Sequence, residues 1–256
     1  MIDYLCKLFG YGFRWIYDFI SSLGNEPAHF SFYAMSIIIT TVILRFLMLP
    51  LFLKQSREMK KMAHVQPKIN ELQQKYKDDP NVLNQKMMTL MQEEKYNPMG
   101  GCLPMLLNLP IIMGFWRMMQ NPETYIFTDG IYDTIANNFF WIKDLKVADP
   151  LVLPLISAVA TFLSTKVSQK NQVQPTVGEK ANQAKQMSDM MMVMFPFMIF
   201  WMGRNLASGL SLYWAVSNIF MVVQGVVMNL KIDKEREEAL GEAKIEKLKK
   251  MKKYKE

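Results

Sequence analysis

The chain has 256 residues, of which 50% are hydrophobic, and its formal net charge is +7. Length and composition alone fit one soluble domain with a large core. The distribution of charge excludes such a domain, because long apolar segments without Asp or Glu alternate with segments dense in charge. A hydrocarbon core about 30 Å thick requires about 20 mainly apolar residues per helix. The sequence therefore predicts an all-α protein that crosses a membrane several times.

The first predicted element is an amphipathic helix within residues 1–30. Charged residues interrupt its apolar side chains, so it has the pattern neither of a secretory signal nor of a spanning helix. Its many aromatic side chains are typical of a helix that lies at a membrane surface. We expect this helix at the outer surface.

Five membrane-spanning helices are predicted after it. Their ranges are 31–53, 100–119, 150–167, 187–203 and 209–230. The third and fourth are short for a full span. The polar segment 203–209 predicts a break between the last two spans, in place of one long helix.

The first two spans are joined by residues 54–99, which predict an antiparallel helical hairpin. Apolar residues recur every three or four positions on both sides of Asp78-Asp79-Pro80-Asn81. Such a segment ends one helix and caps the next. The apolar stripes of the two helices must be shielded from water, which favours a hairpin that docks partners. A solvated spacer is the alternative.

Lys and Arg predict the orientation, because they resist translocation. The loop 54–99 contains nine of them and the tail 231–256 contains ten, whereas the loop 120–149 contains two beside five acidic residues. We therefore expect 54–99, 168–186 and 231–256 in the cytosol, and 120–149 outside. The N-terminus is then outside and the C-terminus is cytosolic, which requires an odd number of spans and agrees with five.

Arg45 points to a mechanism, because it lies inside the first predicted span and an Asp or Glu to pair with it is absent from the apolar segments 31–53, 100–119, 151–165, 190–203 and 209–230. An unpaired guanidinium in lipid costs about 2.5–3.5 kcal/mol on insertion scales. We expect water or a bound protein segment to face it. Alternatively, its long side chain reaches the cytosolic headgroups, about 12 Å away.

Other polar side chains inside the predicted spans are candidates to lie near Arg45 and to face water or a bound protein segment with it. They are Asn108, Ser211, Asn218 and Gln224. Each can equally make an interhelical hydrogen bond of about 0.6 kcal/mol that only holds the helices together.

Basic residues cluster in the C-terminal tail and include Lys249, Lys250, Lys252 and Lys253. Such a cluster attracts anionic lipid at about 1 kcal/mol per charge, and it attracts ribosomal RNA by the same electrostatics. A solvated tail without a partner is the alternative.

Several motifs resemble the YidC/Oxa/Alb family of membrane protein insertases, in its short bacterial form. They are the segment Gln66 to Tyr76, Asp79-Pro80, the segment Asn97 to Pro104, Phe195-Pro196, and the segment Ser208 to Asn218. The pattern Asn-Pro-x-x-Gly-Cys-Leu-Pro at 97–104 is the most specific of them. The resemblance covers residues 30–230.

The resemblance implies a five-helix insertase and membrane chaperone that works alone or beside the Sec translocon. In the family, the first span carries a single positive residue that faces a water-filled groove, open to the cytosol and the lipid and closed outside. Arg45 falls at that place. Many relatives carry Gln where this chain has Asn108, so the resemblance does not extend to that contact.

The resemblance also implies partners and a location. The clients are nascent membrane proteins with one or two spans and short, often acidic, translocated tails. The ribosome, reached by the tail and the hairpin, and the lipid bilayer are the other expected partners. The location is the bacterial plasma membrane, and we expect the protein to act as a monomer.

No covalent catalysis is expected. The sequence has no Gly-rich phosphate loop, and His29 and His64 lie outside the predicted spans, so we expect no enzyme, cofactor or metal site. A small channel or transporter is the alternative function. It predicts an internal repeat and carboxylates at the midplane, neither of which occurs in this sequence.

Overall fold

A computed structural model describes residues 2–77, 79–94, 103–169 and 179–253. Side chains are described for these residues except for 2, 55–64, 66, 103–108, 179–185, 187–188, 232–233 and 235–253. Within the described ranges the protein is all-helical, as predicted, and its only β-type pairings are two isolated bridges, Phe30 with Phe139 and Phe139 with Ile142.

Eight α-helices occur in the described ranges. They are α1 (Ile2–Ser22), α2 (Phe32–Lys75), α3 (Pro80–Glu93), α4 (Leu103–Gln120), α5 (Pro122–Tyr125), α6 (Val152–Gln169), α7 (Glu179–Gly203) and α8 (Ser208–Lys253), with a short 3-10 helix at Ile131–Asp133 between α5 and α6. The helical conformation is interrupted between Gly203 and Ser208. This is the polar segment where the sequence predicts a break between the last two spans.

Among the residues that the structure describes, three helices are long and apolar enough to cross a membrane. Their apolar parts are Phe32–Lys54 in α2, Val152–Gln169 in α6 and Ser208–Lys231 in α8. The apolar part of α7, Asp189–Gly203, is shorter. The second predicted span begins among residues 95–102, outside the described ranges, and continues as α4. Five spans therefore remain a prediction.

Helix α1 has apolar side chains on two faces. The face that includes Cys6, Phe13 and Ile20 is buried, and α1 packs on α4 and α2. A second apolar strip is exposed and consists of Tyr4, Leu8, Tyr11, Trp15 and Phe19. The sequence indicated one amphipathic helix over 1–30, whereas the helix ends at Ser22 and its apolar residues divide between the protein core and the surroundings.

Helices α2 and α3 form a helical pair. Asp79 caps α3, because its Oδ1 accepts hydrogen bonds from the backbone N–H groups of Asn81 (3.2 Å) and Val82 (3.1 Å). The buried side chains of Val65 and Ile69 pack on α3. Helix α2 runs without a break from its apolar part into this pair, despite Pro50 and Pro67. A cytosolic location of the pair is still a prediction.

The main hydrophobic core lies where α2, α6 and α8 begin. It contains Tyr33 of α2, Leu153 of α6, and Leu210 and Tyr213 of α8, together with Phe115 of α4. The loop 137–149 holds the three helix starts together. Its contacts are the backbone hydrogen bonds Ser31 N–H to Asn138 O (3.0 Å), Ser208 N–H to Val147 O (3.0 Å) and Gly209 N–H to Leu145 O (3.0 Å), with Asp149 capping α6. The three apolar helices therefore start at the same end of the molecule.

Candidate functional site

Arg45 is a buried cation in the apolar part of α2. Its side chain is 7% exposed. Its Nε donates a hydrogen bond to the Ser217 hydroxyl of α8 at 2.8 Å, and Nη2 donates to the same oxygen. Among the described side chains no carboxylate forms an ion pair with Arg45. A guanidinium has five N–H donors, so Ser217 leaves donors available for water or for a bound protein segment.

Ser217 belongs to one face of α8 that is directed at α2. Tyr213, Phe220 and Gln224 share this face with it, because they are three or four residues apart along the helix. The Phe220 ring contacts the ring of Phe46, the residue after Arg45, edge to face with centroids 5.1 Å apart. A groove that contains Arg45 would have this polar and aromatic face of α8 as one of its walls.

A second face of α8 is bound to α6 by polar contacts. The contacts are hydrogen bonds from Ser157 Oγ to Ser211 O (2.8 Å), from Ser164 Oγ to Asn218 Oδ1 (2.8 Å) and from Asn229 Nδ2 to Val167 O (3.4 Å). Asn218 also donates from Nδ2 to its own helix at Trp214 O (2.9 Å). Asn218 thus helps to join two helices through its side chain, which is the alternative that the sequence left open, whereas Ser211 contributes only its backbone carbonyl.

Comparison of the sequence with known proteins identifies a family. Residues 27–235 match the family described as the 60Kd inner membrane protein, which covers most of the chain. The chain belongs to the YidC family.

Individual YidC relatives match over most of their length. A Listeria innocua protein named membrane protein insertase YidC 2 is 38% identical over 240 residues, which covers 91% of this chain and 75% of that protein. A Listeria monocytogenes protein named membrane protein insertase YidC 1 is 40% identical over 219 residues, or 83% and 70% of the two chains. Membrane protein insertase YidC of Enterococcus faecalis is 37% identical over 217 residues, or 82% and 72%. Together with the apolar helices, these matches show a bacterial membrane protein.

The other site residues predicted from the sequence are Gln224, Asn108 and four lysines of the tail, and they lie in different parts of the structure. Gln224 is on the same face as Ser217, and its buried Oε1 has no hydrogen-bond partner among the described residues. Its Nε2 lies 4.0 Å from the Met228 sulfur. Asn108 lies in α4, but its side chain is outside the described part of the chain. The same holds for the side chains of Lys249, Lys250, Lys252 and Lys253, whose backbone continues α8.

An apolar groove of about 460 Å³ follows the outside of the α6–α8 pair. Its lining residues are Leu155, Ile156, Val159, Ala160, Leu163, Ile219, Val222 and Val223. Ile219 and Val223 lie on a third face of α8, away from Ser217. Helix α8 thus presents one polar face to α2, one to α6, and one apolar face to the surroundings.

Sequence analysis missed two parts of this site. Ser217 was quoted only as part of a motif, although it bonds to Arg45. The α6 residues Ser157, Thr161 and Ser164 were not noted, although their spacing of four and three places them on one helix face. That regular spacing is a signal for a polar helix contact, whereas a single Ser gives no such signal.

Proposed function

We propose that this chain inserts and folds integral membrane proteins, and that it does so through an intramembrane polar groove centred on Arg45. Membership of the YidC family and the names of its relatives support the insertase function. The observation that carries the groove mechanism is the buried guanidinium of Arg45, which is held by a neutral hydroxyl in a helix apolar enough to cross a membrane. Such a cation is expensive in lipid, and it is therefore typical of a functional site.

The groove acts by lowering the cost of moving a polar segment into the membrane. A polar group loses its hydrogen bonds to water when it enters hydrocarbon, and water retained in a groove removes part of that loss. The charge of Arg45 attracts acidic residues of the entering segment, and the attraction is stronger than in bulk water because the surroundings have a low dielectric constant. Clients with short acidic translocated tails fit this site best.

The apolar part of the client leaves into the lipid along the α6–α8 groove. Each side chain that lines this groove is apolar, so a client helix gains by hydrophobic transfer as it moves from the water-filled site to the bilayer. The transfer itself supplies the driving force, and the mechanism needs no nucleotide.

The surroundings of the protein follow from the same proposal. It lies in the bacterial plasma membrane with its N-terminus outside and its C-terminus in the cytosol, as the distribution of Lys and Arg indicates. It acts as a monomer, alone or beside the Sec translocon, and receives clients from the ribosome. The α2–α3 pair and the basic tail are the parts that meet the ribosome.

Replacement of Arg45 tests the mechanism. A small client with an acidic translocated tail is presented to proteoliposomes that contain the intact protein, Arg45→Ala or Arg45→Lys, and protease protection of the tail is measured. We expect Ala to reduce insertion about tenfold or more, which corresponds to about 1.4 kcal/mol, and Lys to retain most of it because the charge remains. Arg204→Ala is the matched control, since Arg204 is exposed at a helix break.

The outcomes separate the alternatives. Normal insertion by Arg45→Ala overturns the groove mechanism and leaves the family function intact. Absence of insertion by the intact protein, together with ion flux through the same vesicles, favours the channel alternative.

A further inference from the structure

The segment Phe139–Ile142 forms a tight turn with two exposed aromatic side chains at its tip. Two backbone hydrogen bonds close it, from Phe139 N–H to Ile142 O and from Ile142 N–H to Phe139 O, both 2.8 Å. The two closing residues are buried, whereas Phe140 is 61% and Trp141 is 49% exposed. The fold therefore buries the base of the turn and presents its aromatic tip to the surroundings.

The backbone at this tip is held in an uncommon conformation. Phe140 has φ +46°, in the left-handed region that residues other than Gly rarely adopt. Its N–H donates to His29 O at 2.7 Å, which fixes the tip to the segment before α2. A strained bulky residue persists only where its surroundings determine the conformation, and such residues are concentrated at functional sites.

The tip lies at the level where two membrane-spanning helices begin. The Phe140 ring is 5.7 Å from the ring of Phe30, which is two residues before α2. Trp141 Nε1 donates a 3.0 Å hydrogen bond to Asp149 Oδ2, and Asp149 is three residues before α6. The indole N–H therefore has a carboxylate acceptor, and about half of the Trp141 surface is exposed.

The exposed apolar surface continues from the tip onto α6. Val147, Leu151 and Val152 are exposed, and Leu155 and Ile156 extend the same kind of surface along the apolar part of the helix. A helix that crosses a bilayer has lipid against such a surface. Continuity with that surface indicates lipid as the occupant of the tip as well.

We propose that Phe140 and Trp141 anchor the loop 137–149 in the interface of the membrane leaflet at which α2, α6 and α8 begin. Aromatic rings favour this zone, where the ring contacts acyl chains and a polar group such as the indole N–H keeps a hydrogen bond. Because the loop also holds the starts of α2, α6 and α8, the anchor sets the depth of these three helices in the bilayer. The anchor does not depend on the role of Arg45.

A fluorescent label that responds to polarity tests this placement. Phe140→Cys is labelled in a chain that also carries Cys6→Ala and Cys102→Ala, and the protein is reconstituted in vesicles that contain nitroxide lipids. We expect a blue-shifted emission that is lost when the nitroxide lies near the headgroup. The control label at position 133 replaces Asp133, which is exposed at the end of the 3-10 helix that precedes this loop, and it is expected to respond to iodide in the water.

Two results overturn the anchor. One is quenching of the label at position 140 by iodide and not by nitroxide lipid, and the other is protection from both, which indicates cover by a second copy. If the labelled chain fails to fold, the intrinsic tryptophan fluorescence of the unlabelled protein is measured instead. The difference between the intact protein and Trp141→Phe isolates one of five Trp residues, and brominated lipid is expected to remove that difference.

Discussion

Asp149 connects the loop 137–149 to the start of α6 through both of its carboxylate oxygens. Its Oδ1 accepts from the N–H groups of Leu151 (3.1 Å) and Val152 (3.3 Å), and its Oδ2 accepts from Leu153 N–H (2.8 Å) and from the Trp141 indole. Burial on its own raises the pKa of this carboxyl. The hydrogen bonds from Trp141 and the helix amides outweigh burial, so the pKa lies below its usual value.

This lowered pKa predicts the pH dependence of stability. A carboxyl whose pKa is lower in the folded state contributes stability above its unfolded pKa of about 3.9, and this contribution is lost as the pH falls through the folded value. We expect Asp149→Asn to lower the free energy of unfolding by about 1–2 kcal/mol at pH 7. The difference from the intact protein should shrink below about pH 4.

Thermal unfolding of the detergent-solubilised protein across this pH range measures the effect. Asp133→Asn is the matched control, because its carboxylate is exposed and pairs with Lys146 at the surface. An Asp149→Asn deficit that stays constant down to pH 3 contradicts the assignment to the charged carboxylate.

Single residues also show what the sequence revealed about the site. Arg45 was identifiable because a charge in an apolar segment is rare enough to require a cause. Ser217 was not, since serine is ordinary in such helices and its contact with Arg45 joins positions 172 residues apart. The sequence placed Ser211, Asn218 and Gln224 in one group because all three are polar. Which of them contact α6 depends on the face of α8 against which α6 packs.

At the scale of elements, the apolar segments indicated where helices lie better than they indicated where the helices end. Helices α2 and α8 contain 44 and 46 residues and continue past the expected boundaries at 53 and 230. Hydropathy changes where the chain leaves lipid, but Lys, Glu, Gln and Ala are good helix formers and extend the same hydrogen-bond pattern into water. Hydropathy therefore predicts the membrane boundary and not the end of the helix.

The close approach of α6 and α8 gives a prediction at this scale. A Cβ atom added to Gly225 would lie 2.6 Å from Cγ1 of Val167, and a β-branched side chain in a helix has little freedom to move away. We expect Gly225→Ala to destabilise the helix pair by about 1–3 kcal/mol through overpacking.

Thermal unfolding in detergent measures this loss, and the double variant Gly225→Ala with Val167→Ala is the control. Removal of the Val167 methyl groups makes room for the new Cβ, so the double variant should be more stable than Gly225→Ala alone. If Val167→Ala worsens the loss, the two helices do not meet at this pair.

For the whole molecule, the basic tail predicts salt-dependent association. Replacement of Lys249, Lys250, Lys252 and Lys253 by Gln removes four charges, and at about 1 kcal/mol per charge near an anionic surface this weakens binding strongly. We expect loss of co-sedimentation with ribosomes, and a smaller dependence on salt in what remains. Lys143→Gln with Lys146→Gln, in the loop expected outside, is the control.

Anionic vesicles in a parallel series distinguish the two partners of the tail. If vesicle binding falls while ribosome binding stays, the tail is a lipid contact and the ribosome proposal is wrong. If neither changes, the tail is solvated.

The arrangement of the loop 137–149 has a consequence for biosynthesis. It joins residue 31 to residues 208 and 209, so the hydrogen bonds to the Val147 and Leu145 carbonyls form only after more than 200 residues have been made. Contacts this distant along the chain form late, and a polypeptide that emerges from its N-terminus exposes unpaired surface until then. Helices α2 and α6 are therefore made before the last helix can complete these contacts. We therefore expect each new copy to expose the unpaired Leu145 and Val147 carbonyls until the start of α8 has been made.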